Sequence, residues 1–492
     1  MRLKSLTTAL VLAGITLPAL AADGPQALLE KLAARLERLE ARNAELEREV
    51  KALKSESQKI AESLDSPRLS ENEPELTTRL KAVEQDALSM KKAAAIAEKL
   101  DGIAVGAALT TVAQHAHGLP GQATDTSSQI GYRADVTVEL PLEPLGDIEH
   151  KVFAHVRIGQ GLGFNTPFAT LGHFASAPNA VAFRASGANP DDSVAILGEA
   201  WYQAAIPFPL GGFRPDSSNT LEATFGKMDI FGFFDQNAAA GDESIQFLNS
   251  VFVHNPLLDA GGEVAPDANG FQPGAILSWL DESEKAEPWR LSLGVFGAGE
   301  RGSNYENSLN APLVMLQAEK RLRLSGGLDG NYRAYGWMRR NVDEFDGITT
   351  AKHTGFGLSV DQQVDDGIRL FGRYGQLLSG HAPFERALSI GAEINGGYWG
   401  RAADALGIGG SWLKTGNAYR RAGEVEIDSN DDGNVDIRFT PRGAEKVAEI
   451  YYRFRLSPNL DISPDIQWIT RPGGNGNADS VKVYGLRANI AY

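Results

Sequence analysis

The chain of 492 residues contains no cysteine. That removes every thiol nucleophile and thiolate metal site from consideration, and it is compatible with an oxidising compartment. Basic clusters are also missing, and the formal net charge of -16 argues against a nucleic-acid partner. Beyond the N-terminus no segment supplies the ~18 uncharged apolar residues that a membrane helix requires. Any membrane-spanning part therefore has to be a β-barrel. No Ser-His-Asp grouping, phosphate-cradling glycine loop or paired carboxylate in a defined pocket stands out, so an enzyme is the least expected class.

What is present points the same way. The chain has 53 Gly, 21 Phe and 12 Tyr, a composition that suits one large β domain carrying an appendage. Residues 1–21 read as a secretory signal: Arg2 and Lys4 precede an apolar run from Leu6 to Leu17, and Ala19-Leu20-Ala21 offers a small-residue cleavage site.

Residues 22–66 carry a heptad seam. Leu29, Leu36, Asn43, Val50, Ser57 and Leu64 occupy one core position, and Leu32, Leu39, Leu46, Leu53 and Ile60 the other, with charged flanks. This predicts a periplasmic coiled coil, with Asn43 fixing register and strand number and a homo-oligomer, a trimer favoured, as its product. Pro67 and Pro74 interrupt the seam, and residues 67–101 read as a helical connector.

From residue 102 to 492 the periodicity changes from helical to alternating. Sixteen segments are expected, with starts near Gly102, Ser128, Glu149, Val194, Asn219, Phe271, Trp289, Ala311, Gly330, Lys352, Gly367, Arg386, Ala405, Glu445, Asn459 and Val481. The last strand is typical, with Tyr484, Leu486, Ile490 and Tyr492 on one face and Arg487 and Asn489 on the other. Even-to-odd connectors are mostly short and odd-to-even ones longer, the asymmetry of an outer-membrane barrel with periplasmic turns and outer loops. The predicted fold is thus all-β, a 16-stranded antiparallel transmembrane barrel.

If the apolar face meets lipid, the other face meets water. Its charges are nearly balanced in sign. Arg133, Arg157, Arg333, Arg369 and Arg373 are expected to point inward, with Glu199 beside Trp201, and Tyr335 and Trp337 beside Arg333. Guanidinium and carboxylate groups bond paired hydroxyls, and aromatic faces stack on the apolar side of a sugar. The long connector 231–270 is expected to fold into the barrel mouth and narrow it, with Asp235, Asn237, Asp242 and Glu243 at the constriction and a helix-like run over 244–253. An outer cap is the competing arrangement.

Two blocks then resemble a known family. Phe234-Asp235, Asn237, Asp242-Glu243, Gln246-Phe247-Leu248, Asn255-Pro256, Gly270-Phe271 and Pro273-Gly274 form the first. Arg442-Gly443-Ala444-Glu445, Tyr452-Arg453-Phe454, Ser463-Pro464-Asp465-Ile466-Gln467 and Pro472-Gly473-Gly474 form the second. Both are similar to the OprB-type carbohydrate-selective porins. The resemblance covers about residues 102–492 and implies a monosaccharide-permeable outer-membrane barrel of sixteen strands, with Arg and acidic residues at a narrowed pore. The heptad seam lies outside it.

Asp428, Asn430, Asp432, Gly433 and Asp436 follow the first nine positions of a calcium loop, but the twelfth is Phe439 in place of the bidentate acid, so a solvated acidic loop is favoured over a calcium site. His115 and His117 share a strand face, which makes a poor metal site. The function expected is diffusion of small carbohydrates through a loop-narrowed lumen in the bacterial outer membrane, without a cofactor. An anion or organic-acid channel, or a barrel tethering the envelope through its coiled coil, are the alternatives.

Overall fold

A computed structural model describes residues 102–118, 128–161, 163–164, 176–183, 192–210, 218–259, 270–298, 308–324, 326–346, 348–427, 435 and 437–492. The expected signal, coiled coil and helical connector, and the acidic positions Asp428, Asn430, Asp432 and Asp436, lie outside the described residues.

The first eight strands are β1 (Ala104–His117), β2 (Ser128–Pro141), β3 (Glu149–Gln160), β4 (Val194–Phe208), β5 (Asn219–Met228), β6 (Gln272–Asp281), β7 (Trp289–Phe296) and β8 (Leu313–Leu324). Next come β9 (Leu328–Asp343), β10 (Thr350–Asp365), β11 (Ile368–Ser379), β12 (Phe384–Asn395) and β13 (Ala405–Thr415). A short hairpin, β14 (Val425–Ile427) and β15 (Ile437–Phe439), precedes β16 (Ala444–Ser457), β17 (Leu460–Thr470) and β18 (Val481–Ala491). All but the hairpin pair in one closed antiparallel barrel of sixteen strands. Each barrel strand starts within about two residues of the position its alternation predicts, because a period of two is imposed wherever lipid lies on one side and water on the other.

Closure joins β1 to β18 in a register that places Ala108 opposite Ala491. Ala107 and Tyr492 exchange both backbone hydrogen bonds, N to O distances being 3.0 and 2.8 Å. On β18 the faces separate as the alternation requires: Leu486 is 52% exposed on the outer surface, whereas Arg487 is 1% exposed on the inner one.

Strict alternation is broken on several strands, β4 among them. On β4, Leu197 is exposed outside, yet Glu199 two residues later faces inward. A bulge accounts for it: His155 pairs with Glu199 and Val156 with Leu197, leaving Gly198 unopposed. Glycine is required there, since a Cβ would lie 2.7 Å from Cζ of Phe271.

Links at one end are short, including those of β8 to β9, β10 to β11 and β16 to β17. At the other end the links of β3 to β4, β5 to β6 and β13 to β16 are long, although β9 to β10 and β11 to β12 are brief. The β13 to β16 link carries α1 (Asn417–Ala422) and the β14–β15 hairpin, so the acidic insert is framed by a small hairpin.

Candidate functional site

The link from β5 to β6 turns back inside the ring of strands. Its described part, residues 229–259, holds two single-turn helices, α2 (Ser250–Val253) and α3 (Pro256–Asp259). The sequence predicts a longer helix-like run from residue 244. It is cut short because the N–H groups of Leu248 and Asn249 donate to the Glu449 carboxylate on β16, at 2.6 and 2.9 Å. Asn249 then caps α2 by accepting from Val251 N.

Arg373 on β11 is the main anchor of this connector. Its guanidinium lies 3.0 Å from the Asp235 carboxylate and donates to the carbonyls of Asp235, at 2.8 Å, Ala240, at 3.1 Å, and Phe252. Tyr335 Oη on β9 and Asn255 N also donate to Asp235, at 2.8 and 2.7 Å. The Arg373 side chain is 1% exposed and that of Asp235 is fully buried. With four of the five guanidinium N–H groups and both carboxylate oxygens bonded, the desolvation of both ions is offset, and losing either partner would cost about 3–5 kcal/mol.

Other anchors surround it. Asn237 Nδ2 donates to Ser359 Oγ and the Val360 carbonyl on β10. Arg333 on β9 donates to the Gln236 carbonyl, and Arg487 on β18 to the carbonyls of Glu243 and Gln246. Beneath them Phe247 packs edge-on against Phe371 and Tyr451, and beside Phe252. The connector is thus fastened to the wall made by β8 to β12 and β16 to β18.

The opposite wall, β2 to β4, carries a chain of charges of alternating sign. Glu243 of the connector meets Arg133 at 2.7 Å, and Arg133 meets Asp135 at 2.7 Å. Asp135 also lies 2.7 Å from both Arg157 and His155, and His155 lies 3.4 Å from Glu199. Trp201 Nε1 and the backbone N of Asp229 both donate to Glu199, at 3.2 Å. Toward the short-turn end Lys151 bonds Glu139 at 2.8 Å.

The predicted pore residues therefore divide. Arg157, Glu199, Trp201, Asp242 and Glu243 keep part of their surface toward the lumen, and Arg369 reaches toward Asp361 at 3.7 Å. Arg333, Tyr335, Trp337, Arg373, Asp235 and Asn237 are buried between connector and wall, where the Arg373–Asp235 pair and its neighbours hold the connector in place. Arg133 is also buried and links connector to wall. Half-buried Phe153, Phe231 and Phe233 complete the exposed side, with His155 buried behind it, and the sequence reading singles out none of the four. His155 and Phe153 were legible as inward from their parity with Arg157, but Phe231 and Phe233 follow no strand period.

Among the described residues no group of His, Asp and Glu is arranged to hold a metal ion.

Comparisons with known proteins agree with the sixteen-stranded barrel. Porin AaxA of Chlamydia pneumoniae is 25% identical over 163 residues, 33% of each chain, so this chain spans about a third of that relative's length. An uncharacterized protein of Nostoc sp. (strain PCC 7120) is 38% identical over 53 residues, 10% of this chain and 9% of that one. The high-pH structure of Pseudomonas putida OprB superposes with a TM-score of 0.62 at 18% identity, covering 80% of this chain and 96% of that one, a likeness of fold. The family model described as carbohydrate-selective porin, OprB family, matches residues 127–492, so the chain belongs to that family of outer-membrane porins.

Proposed function

We propose that small neutral carbohydrates cross this barrel by passive or facilitated diffusion, through the space between the exposed rim of the connector and the charged wall of β2 to β5. The observation that carries this reading is the docking of residues 229–259 by the buried Arg373–Asp235 pair on one wall and by the Arg133–Glu243 pair on the other, with the alternating charges of Arg133, Asp135 and Arg157 continuing beside it. Paired cations and anions at hydrogen-bond distance present donors and acceptors to hydroxyl groups without a net field that would favour one ion. The family is one of channels, not of enzymes.

Planar-bilayer conductance in the presence of sugars tests the proposal. Stepwise ionic currents that sugars reduce support it. Absence of conducting steps would sink the channel reading, and currents indifferent to sugar would remove the carbohydrate one. An anion or organic-acid channel is the second reading, favoured by the number of arginines near the passage; it requires a reversal potential close to the anion limit under a salt gradient.

The heptad seam of residues 22–66 supplies a separate role. After removal of the signal at residues 1–21, it joins subunits in the periplasm as a coiled-coil homo-oligomer, a trimer favoured, supported by Leu29, Leu36 and Asn43 at successive core positions. Deleting residues 22–100 is expected to abolish assembly while leaving conductance; loss of both would make the seam part of the channel.

A further inference from the structure

The barrel also turns charges outward, and only toward one side of the ring do they form a row. Toward the long-loop end the outer face carries Arg386 on β12, Lys414 on β13, Lys446 on β16 and Lys482 on β18, and His115 and His117 continue the row on β1. Arg386 is the direct cross-strand partner of Lys414, and Lys482 that of His117. Trp412 and Trp468 stand opposite Lys446 and Lys482, and the Lys482 ammonium lies 5.1 Å from the Trp468 ring centroid. Aromatic rings at this level of a barrel mark the boundary between headgroups and hydrocarbon. Toward the same end the outer face of β2, β4, β7 and β8 shows Ile130, Leu197, Val295 and Val314 instead, and on β5 the Lys227 ammonium is taken up by the Leu197 carbonyl at 2.9 Å.

Like charges set directly opposite one another on a sheet repel, and a cation at the edge of hydrocarbon is costly without a counter-charge. Glu385 supplies one to Lys414. Among the described residues Lys446 and Lys482 meet no carboxylate, so their counter-charge has to come from outside the chain, at headgroup level. Beside Lys482 and His117 the same face is hollowed. Ala113, His115, Ser128, Ile130, Tyr484 and Leu486 line a groove of about 550 Å³. Ala113 makes the hollow, being small between its larger partners Leu486 and Ile130. At the loop side of the groove His115 Nδ1 and Ser128 Oγ share a hydrogen bond of 2.9 Å.

We infer that this face binds a phosphorylated lipid of the outer leaflet, its phosphate held by Lys446, Lys482 and His117 and an acyl chain laid in the groove over Ala113. The two halves of the site demand the two halves of such a molecule. A phosphate relieves the repulsion between opposed cations, and Lys is suited to it as a compact point charge. The apolar floor of Ala113, Ile130, Tyr484 and Leu486 takes a chain of methylenes. Long loops of these barrels face the outside, which places the site in the outer leaflet, where the fitting chemistry is a phosphorylated, acylated glycolipid. The inference is independent of which solute crosses the lumen.

The test is binding of fluorescently labelled, phosphorylated lipid A to the full chain in detergent, run beside the same lipid after removal of its phosphates. The expected result is saturable binding of the phosphorylated lipid and binding of the dephosphorylated lipid weaker by about tenfold or more. The Lys446→Gln, Lys482→Gln double variant should weaken the phosphorylated lipid about twentyfold, whereas Lys320→Gln, on β8 toward the short-turn end, should leave it unchanged. Ala113→Phe fills the groove and should weaken both lipids. Ion conductance of each variant in planar bilayers reports that its barrel is closed. Equal binding of the two lipids, or unchanged affinity in the double variant, overturns the site. A double variant whose oligomer mass changes with no dependence of lipid binding on phosphate would assign the face to contact between copies of the chain, and overturns it as well.

Discussion

At the scale of single residues, the most consequential side chain is Arg373. One guanidinium gathers the Asp235 carboxylate and three connector carbonyls, so its removal leaves a buried carboxylate and several acceptors without a donor. Arg373→Met is expected to weaken docking of the connector by about 3–5 kcal/mol. Chymotrypsin should then cut within residues 229–259 of the folded variant and spare the wild type, and channel noise should increase. The sequence indicated that Arg373, Asp235 and Tyr335 face inward, but not that they face one another. Parity tells which side of a strand a residue occupies; it carries no information about what will cover it. The same limit applies to Trp337, read as a lumen residue and found 3% exposed.

At the scale of elements, strand positions were legible because alternation is enforced residue by residue, whereas the bulge at Gly198 was not. An unopposed glycine looks like any other in a glycine-rich chain until its partner strand is known. Gly198→Ala should cost about 1–3 kcal/mol through contact with Phe271, and would also strain the turn of Glu199 into the lumen. The urea concentration at which the barrel loses its compact gel mobility reads that loss.

The turn between β12 and β13 offers a second measurement. Asp404 receives hydrogen bonds from Arg401 Nε at 2.5 Å, Tyr452 Oη at 2.5 Å and Arg455 N at 3.0 Å. Burial works against ionisation, but these donors together hold the Asp404 carboxyl below its ordinary value. A depressed carboxyl stabilises the fold above the unfolded value near 4, and that contribution disappears as pH falls through the folded one. Asp404→Asn should therefore unfold at lower temperature than wild type at pH 7, with the two melting curves converging as the pH falls through the depressed folded value.

At the scale of the whole molecule, the balance of charges along the passage matters more than the net charge of -16. Arg133, Asp135 and Arg157 neutralise one another at contact distance, and Glu199 joins them through His155, so the local field seen by an ion is small. The reversal potential in a potassium chloride gradient should be far from the limit for either ion, and Asp135→Asn should shift it toward anion preference. A strongly anion-selective wild type would contradict the carbohydrate proposal.

The pairing of β1 with β18 has a kinetic meaning as well. Contacts such as Leu109 with Ile490 bring together residues near opposite ends of the barrel sequence, and no shorter-range pairing can substitute for them. Fifteen of the sixteen strand pairings join neighbours along the barrel sequence and can zip progressively; the sixteenth must bear the entropy of closing almost the whole domain into one loop. Until that event both β1 and β18 are open edges able to recruit strands from other chains. Folding of this barrel is therefore expected to be limited by a single late closure, and its chief hazard on the way is edge-to-edge association of chains that have not yet completed it.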